Sequence, residues 1–150
     1  MIEIRCPTEA DTRVVGRKLA ATLRPGDIVL LAGGLGVGKT LFAAGIAAGL
    51  GVEEQVVSPS FLLVRQYRSG FLPMVHVDVY RLGTINEFED LEVLDPAADG
   101  VLVIEWGDVL EGAIPEDHLR IDFVVEDDGT RVLQMVPSGT WAGRDLGLVA

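Results

Sequence analysis

Ile28-Val29-Leu30-Leu31-Ala32, running into Gly33-Gly34-Leu35-Gly36-Val37-Gly38-Lys39-Thr40, is the stretch that decides the fold of this 150-residue chain. The first five residues are apolar without alternation, the pattern of a strand covered on both faces, as in parallel sheets flanked by helices. The next eight match G-x-x-x-x-G-K-[ST] at every fixed position. Glycines let successive backbone N–H groups turn inward around phosphate oxygens. A helix starting near Lys39 presents unpaired N–H groups and a positive dipole end to the same anion. At this spacing Lys39 neutralises β/γ charge and the Thr40 hydroxyl ligates Mg²⁺. Gly33, Gly34, Leu35, Gly36, Val37, Gly38, Lys39, Thr40 and the adjoining Leu41 are therefore candidate nucleotide-binding residues, with Lys39 also a catalytic candidate.

Outward from this segment the pattern alternates strand and helix. Ile2–Arg5 reads as a short edge strand. Thr8 with Asp11 three residues on marks a helix start, and Val14, Val15, Leu19 and Leu23 form its apolar stripe until Pro25-Gly26 breaks it. The helix after the loop runs from about Lys39 to Leu50, with Gly51 as its C-terminal stop; Ala43, Ala44, Ala47 and Ala48 would let it lie close to a sheet. Phe61–Tyr67, Met74–Val79 and Val101–Ile104 read as strands, and Thr84 with Glu87 as a capping box before a helical stripe of Ile85, Phe88 and Leu91. His118–Glu126 and Thr130–Pro137 read as two strands joined by Asp127-Asp128-Gly129. The expected fold is α/β: a mostly parallel sheet of P-loop NTPase type, flanked by helices, with an antiparallel edge hairpin near the C-terminus. Residues 1–150 are expected to form one domain, in which Gly139–Ala150 shows no pattern and is expected to fray.

Two acids stand at the ends of apolar strands. Asp78 closes Val75-His76-Val77-Asp78, and Glu105 closes Val101-Leu102-Val103-Ile104-Glu105. Carboxyl ends of parallel strands face the ligand crevice. Asp78 there can anchor Mg²⁺, or instead cap a helix or pair with Arg81. Glu105 can orient the attacking water, or form a surface ion pair. Trp106 either lines the pocket or packs. His76 shares a strand face with Asp78, about 6.6 Å deeper, and reads as a hydrogen-bonded core histidine; pairing it with His118 on a metal has no support. Cys6 reads as a buried small residue.

Lys and Arg number 12 against 23 Asp and Glu, a formal charge of −11. Grip on nucleic-acid backbones comes mainly from Lys and Arg, so any RNA in this protein's biology would have to be held by a partner. One cysteine excludes an intrachain disulfide. Met1–Arg5 lacks the basic-then-apolar order of a signal peptide, and no apolar run approaches the ~20 residues that span a bilayer. The expectation is a cytoplasmic chain with no membrane association.

Five blocks in this order resemble the TsaE (YjeE) family: Gly33–Thr40, Ser58-Pro59-Ser60-Phe61, His76-Val77-Asp78-Val79-Tyr80-Arg81, Ile104-Glu105-Trp106 and Ile114-Pro115-Glu116-Asp117. The first alone says only P-loop NTPase; the second and third are far more selective. The resemblance covers Thr8 to Phe123. It implies a Mg²⁺-dependent ATPase of tRNA threonylcarbamoyladenosine synthesis, a monomer alone, weakly active until it meets TsaD and TsaB, and touching tRNA only through them. It implies Lys39 on phosphate, Ser60 in a switch-like segment near the γ-phosphate, Thr40, Asp78 and Glu105 about the metal, and Trp106 beside the catalytic Glu105. The chain departs from the family's usual residues at Gly34, for Asp or Asn, at Ser60, for Thr, and at Gly107, for Pro. None of the three removes a group the chemistry requires.

Two other classes compete. A P-loop small-molecule kinase would need a lid carrying arginines, but Arg65, Arg68, Arg81, Arg120, Arg131 and Arg144 are scattered. A nucleotide-sensing assembly module that does not hydrolyse ATP would keep the same loop.

Overall fold

The structure, a computed structural model, describes residues 2–34, 36–56, 64–79, 94, 97–106 and 112–148. In chain order the described elements are β1 (Ile2–Cys6), α1 (Glu9–Ala20), β2 (Ile28–Ala32), α2 (Lys39–Gly49), β3 (Val64–Tyr67), β4 (Met74–Asp78), β5 (Val101–Glu105), β6 (His118–Val125) and β7 (Arg131–Ser138), then a 3-10 turn at Gly139–Gly143.

These strands form one sheet in the order β1-β7-β6-β2-β5-β4-β3. The centre is parallel: β2 pairs with β5 and β6, and β4 with β5. The flanks are antiparallel, β6 with β7 and β7 with β1 on one side, β3 with β4 on the other. The α/β architecture is the one expected, with antiparallel pairing at both edges rather than one. Of the strand expected at Phe61–Tyr67, Val64–Tyr67 is present, and 61–63 lie outside the described residues.

All five β2 residues are buried. Successive side chains of a strand point to opposite faces, so Val29 and Leu31 join one core layer while Ile28 and Leu30 join the other. The first layer holds Val15 and Leu19 of α1 and Phe42 and Ile46 of α2. The second holds Val75, Val77, Leu102 and Ile104 with Ile114. Because both faces are covered, the run carries no polar alternation.

Local chemistry places both helices. Thr8 and Asp11 form a reciprocal capping box, the Thr8 hydroxyl accepting from Asp11 N at 3.2 Å and the Asp11 carboxylate from Thr8 N at 3.0 Å. At the far end of α2, Val52 N donates to Ala47 O and Gly51 N to Ala48 O, with Gly51 at φ 82°. That is the double bond of a glycine-terminated helix. The small residues of α2 serve a second contact besides the sheet. A Cβ on Gly49 would lie 2.6 Å from Arg17 O, and one on Gly16 of α1 would lie 2.5 Å from Phe42 O. The two helices touch backbone to backbone.

The expectation that the C-terminal segment frays does not hold over its described part. Trp141 and Leu146 are 1% and 3% exposed and belong to the first core layer. Arg144 binds the Asp27 carboxylate at 3.0 and 2.6 Å, donates to Thr22 O, and stacks over the Trp141 ring at 4.0 Å. An irregular segment can dock through isolated anchors, which leave no periodic signal in sequence.

Candidate functional site

The parallel strands β2, β4 and β5 end on the same side, where Gly33 turns the chain away from β2 and α2 begins. Gly38, at φ 104°, takes the N-cap position of α2, a left-handed conformation that a Cβ would strain. A cleft of about 310 Å³ opens there, lined by Gly36 to Leu41, Asp78, Glu105 and Trp106 from the strand ends, and Glu9 and Arg131.

Lys39 is 5% exposed. Its ammonium donates to the carbonyls of Gly33 and Gly34, each at 2.7 Å, and lies 3.6 Å from the centroid of the Trp106 ring. Trp106 has φ 69°, and among the described residues it is the non-glycine with positive φ. Its N–H donates to Leu31 O at 2.6 Å. The chain thus leaves β5 by a sharp turn that lays the indole across the loop lysine. A left-handed conformation costs a non-glycine residue on the order of 1–2 kcal/mol.

Asp78 and Glu105 stand directly opposite each other in the β4–β5 register, 5% and 3% exposed. The Thr40 hydroxyl lies 3.0 and 3.1 Å from the two Glu105 oxygens. From the other side His76, fully buried, brings Nε2 to 2.6 Å from Glu105 Oε2. The surface ion-pair reading of Glu105 is therefore wrong: its carboxylate is interior, held by hydrogen bonds from two other elements. His76 is the hydrogen-bonded core histidine expected, though its partner is the candidate site residue Glu105.

His118 lies on β6, where its Nδ1 contacts Pro115 O at 2.9 Å. Among the described residues no group of three or more His, Cys, Asp and Glu side chains could by itself hold a metal ion. The oxygen donors near the loop, Thr40, Asp78 and Glu105, are of the hard type that suits Mg²⁺, which takes one or two carboxylates and completes its shell with water and phosphate.

Other site candidates lie beyond view. Leu35, Ser60 with the rest of Ser58–Phe61, Tyr80 and Arg81 fall outside the described residues, and with Arg81 the alternative reading of Asp78 as its ion-pair partner. Glu9 and Arg131 had no site signal in the sequence. Arg131 reaches the loop from β7, its Nε donating to Val37 O at 3.0 Å across 94 positions of sequence. Only the antiparallel addition of β7 to β6 brings it there.

A strand, a glycine turn and a helix N-terminus, with two carboxylates at neighbouring strand ends, define an α/β protein of the strand–glycine loop–helix class. Residues 6–133 match the model of the family described as Threonylcarbamoyl adenosine biosynthesis protein TsaE. The chain belongs to the TsaE family, whose role is in tRNA threonylcarbamoyladenosine biosynthesis. It is 42% identical to the tRNA threonylcarbamoyladenosine biosynthesis protein TsaE of Streptomyces coelicolor, over 92% of this chain and 99% of the relative. It is 36% identical to the Bacillus subtilis protein of the same name, over 86% and 81%. The crystal structure of Bacillus subtilis YdiB superposes with a TM-score of 0.77 at 30% identity, covering 92% of this chain and 86% of that one. Among the described residues no helix is long and apolar enough to cross a membrane.

Proposed function

We propose that the chain is a Mg²⁺-dependent ATP hydrolase that acts with TsaD and TsaB to sustain repeated rounds of threonylcarbamoyl transfer to tRNA. The observation that carries this reading is the convergence of Lys39, the Thr40 hydroxyl, Asp78 and Glu105 on one cleft at the mouth of α2. In this reading the N–H groups of the loop and of the first turn of α2 bind the β- and γ-phosphates. Lys39 leaves the Gly33 and Gly34 carbonyls to neutralise their charge. Thr40, Asp78 and Glu105 would hold Mg²⁺, which when bound supplies charge stabilisation across the transferred phosphoryl group. Glu105 also orients the attacking water, the role open to a buried carboxylate at the cleft 3.0 Å from the Thr40 hydroxyl.

Two features support low activity of the chain alone. Lys39 is engaged by its own loop and by Trp106, so binding must displace it. P-loop proteins whose catalytic set is incomplete gain it in trans, where one supplied cation is worth roughly 10³–10⁵ in rate. The negative charge of −11 fits a protein that meets tRNA through partners.

The test is multi-turnover threonylcarbamoyl transfer to tRNA with TsaC, TsaD, TsaB, threonine, bicarbonate and ATP. The protein is present, absent, or carries Lys39→Ala. Product that stops near one equivalent of TsaD without the protein, and resumes with wild type but not the variant, is the expected result. Equal yields in all three arms would overturn the proposal.

A further inference from the structure

A histidine with no exposure lies at the back of the cleft. Met74, His76 and Asp78 alternate along β4 onto the sheet face that carries α2, since Met74 belongs to that core layer and side chains two apart share a face. Val103 and Glu105 of β5 lie beside them in register, and Val103 belongs to the same layer. At this position an apolar side chain would pack without polar cost, whereas an imidazole must be hydrogen-bonded. Space-filling therefore does not account for His76.

Its contact does. A carboxylate offers only acceptors, so His76 Nε2, 2.6 Å from Glu105 Oε2, is the donor. Among the described residues the other ring nitrogen, Nδ1, has no hydrogen-bond partner. The ring's interactions are thus concentrated on one carboxylate oxygen. The Thr40 hydroxyl approaches the same carboxylate from the α2 side, at 3.0 and 3.1 Å. The carboxylate is clamped between an imidazole beneath it and a hydroxyl at the cleft.

We propose that His76 is a positioning residue. By fixing Oε2 it sets the rotation of the Glu105 carboxylate, so that the group faces Thr40 and the cleft rather than turning into the sheet. His76 itself touches neither nucleotide nor metal. The role rests on the Mg²⁺–nucleotide reading above, and it belongs to the general case in which an outer partner orients a metal-binding carboxylate.

The test compares wild type, His76→Leu and His76→Gln in three measurements. These are ADP affinity in EDTA, Mn²⁺ affinity in the presence of ADP by electron paramagnetic resonance, and kcat and KM for ATP. Gln can return an N–H near the Nε2 position; Leu cannot. The expected result is ADP affinity without metal within about twofold of wild type for both variants, since the loop is untouched. Mn²⁺ affinity and kcat fall roughly 10- to 100-fold in His76→Leu with KM for ATP little changed, and His76→Gln recovers most of both. His76→Phe replaces His76→Leu if the latter does not fold. Equal losses in the Leu and Gln variants, together with weaker metal-free ADP binding, would show a packing role and overturn the proposal. So would wild-type Mn²⁺ affinity in His76→Leu. Wild type that binds ADP no better with Mn²⁺ than in EDTA would instead remove the metal–nucleotide reading itself, and the positioning role with it.

Discussion

The Lys39 ammonium donates to two carbonyls of its own loop while sitting 3.6 Å from the centre of the Trp106 ring. A cation over an indole is worth about 0.5–2 kcal/mol, depending on its desolvation. In the proposed function phosphate must displace these contacts, so Trp106 should report the exchange. In a Trp141→Phe background, which leaves Trp106 as the remaining tryptophan, adding ATP with Mg²⁺ is expected to shift the emission. The same titration in Lys39→Met should start from an altered spectrum and respond little. An unchanged spectrum through saturation would show that the lysine stays where it is.

Lys39→Ala should weaken ATP binding through loss of charge-assisted hydrogen bonds worth about 1.5–3 kcal/mol, roughly 10- to 100-fold. Isothermal titration with ATP and Mg²⁺ reads this directly. Glu105→Gln should keep ATP binding and lose turnover with the partner proteins, because its carboxylate is the group placed against Thr40. Turnover that survives would point to the sensing reading instead.

Gly49→Ala should destabilise the fold without touching the cleft. The added Cβ would meet Arg17 O at 2.6 Å, and overpacking of this kind costs about 1–3 kcal/mol. Urea unfolding should show a lower midpoint at unchanged slope.

Arg144→Met removes one partner of an ion pair whose side chains are 8% and 11% exposed, leaving Asp27 without its cation. Breaking a buried pair costs about 3 kcal/mol or more. Limited proteolysis should then cut after Gly139, where the wild type resists.

Cys6 is fully buried, and burial pushes its thiol above the ordinary value. The thiolate is the reactive form, so iodoacetamide at pH 8 should label it only as fast as the chain opens. Labelling should become rapid in urea.

Some features were local enough to stand in the linear chain. The capping box at Thr8 and Asp11, the uninterrupted apolar run of β2, the glycine loop and the stop at Gly51 each involve residues within a few positions of one another. Backbone geometry alone turns such spacing into structure. The acids at the ends of β4 and β5 were legible too, because a parallel sheet delivers its carboxyl ends to one edge.

Contacts between distant residues were not legible. His76 meets Glu105 because the β4–β5 register puts Asp78 beside Glu105 and His76 one pleat behind. Arg131 reaches Val37 because β7 adds antiparallel to β6. Trp106 covers Lys39 because its backbone turns to φ 69°. The tail docks because Arg144 finds Asp27. By itself the sequence determined the strand–glycine loop–helix unit, the α/β class and the residues available for chemistry, since these follow from periodicity and short spacing. The tertiary structure alone decided how those residues are held, whether a carboxylate is buried or exposed and which cation or imidazole faces it. Those depend on strand register and layer packing, which no short window of sequence encodes.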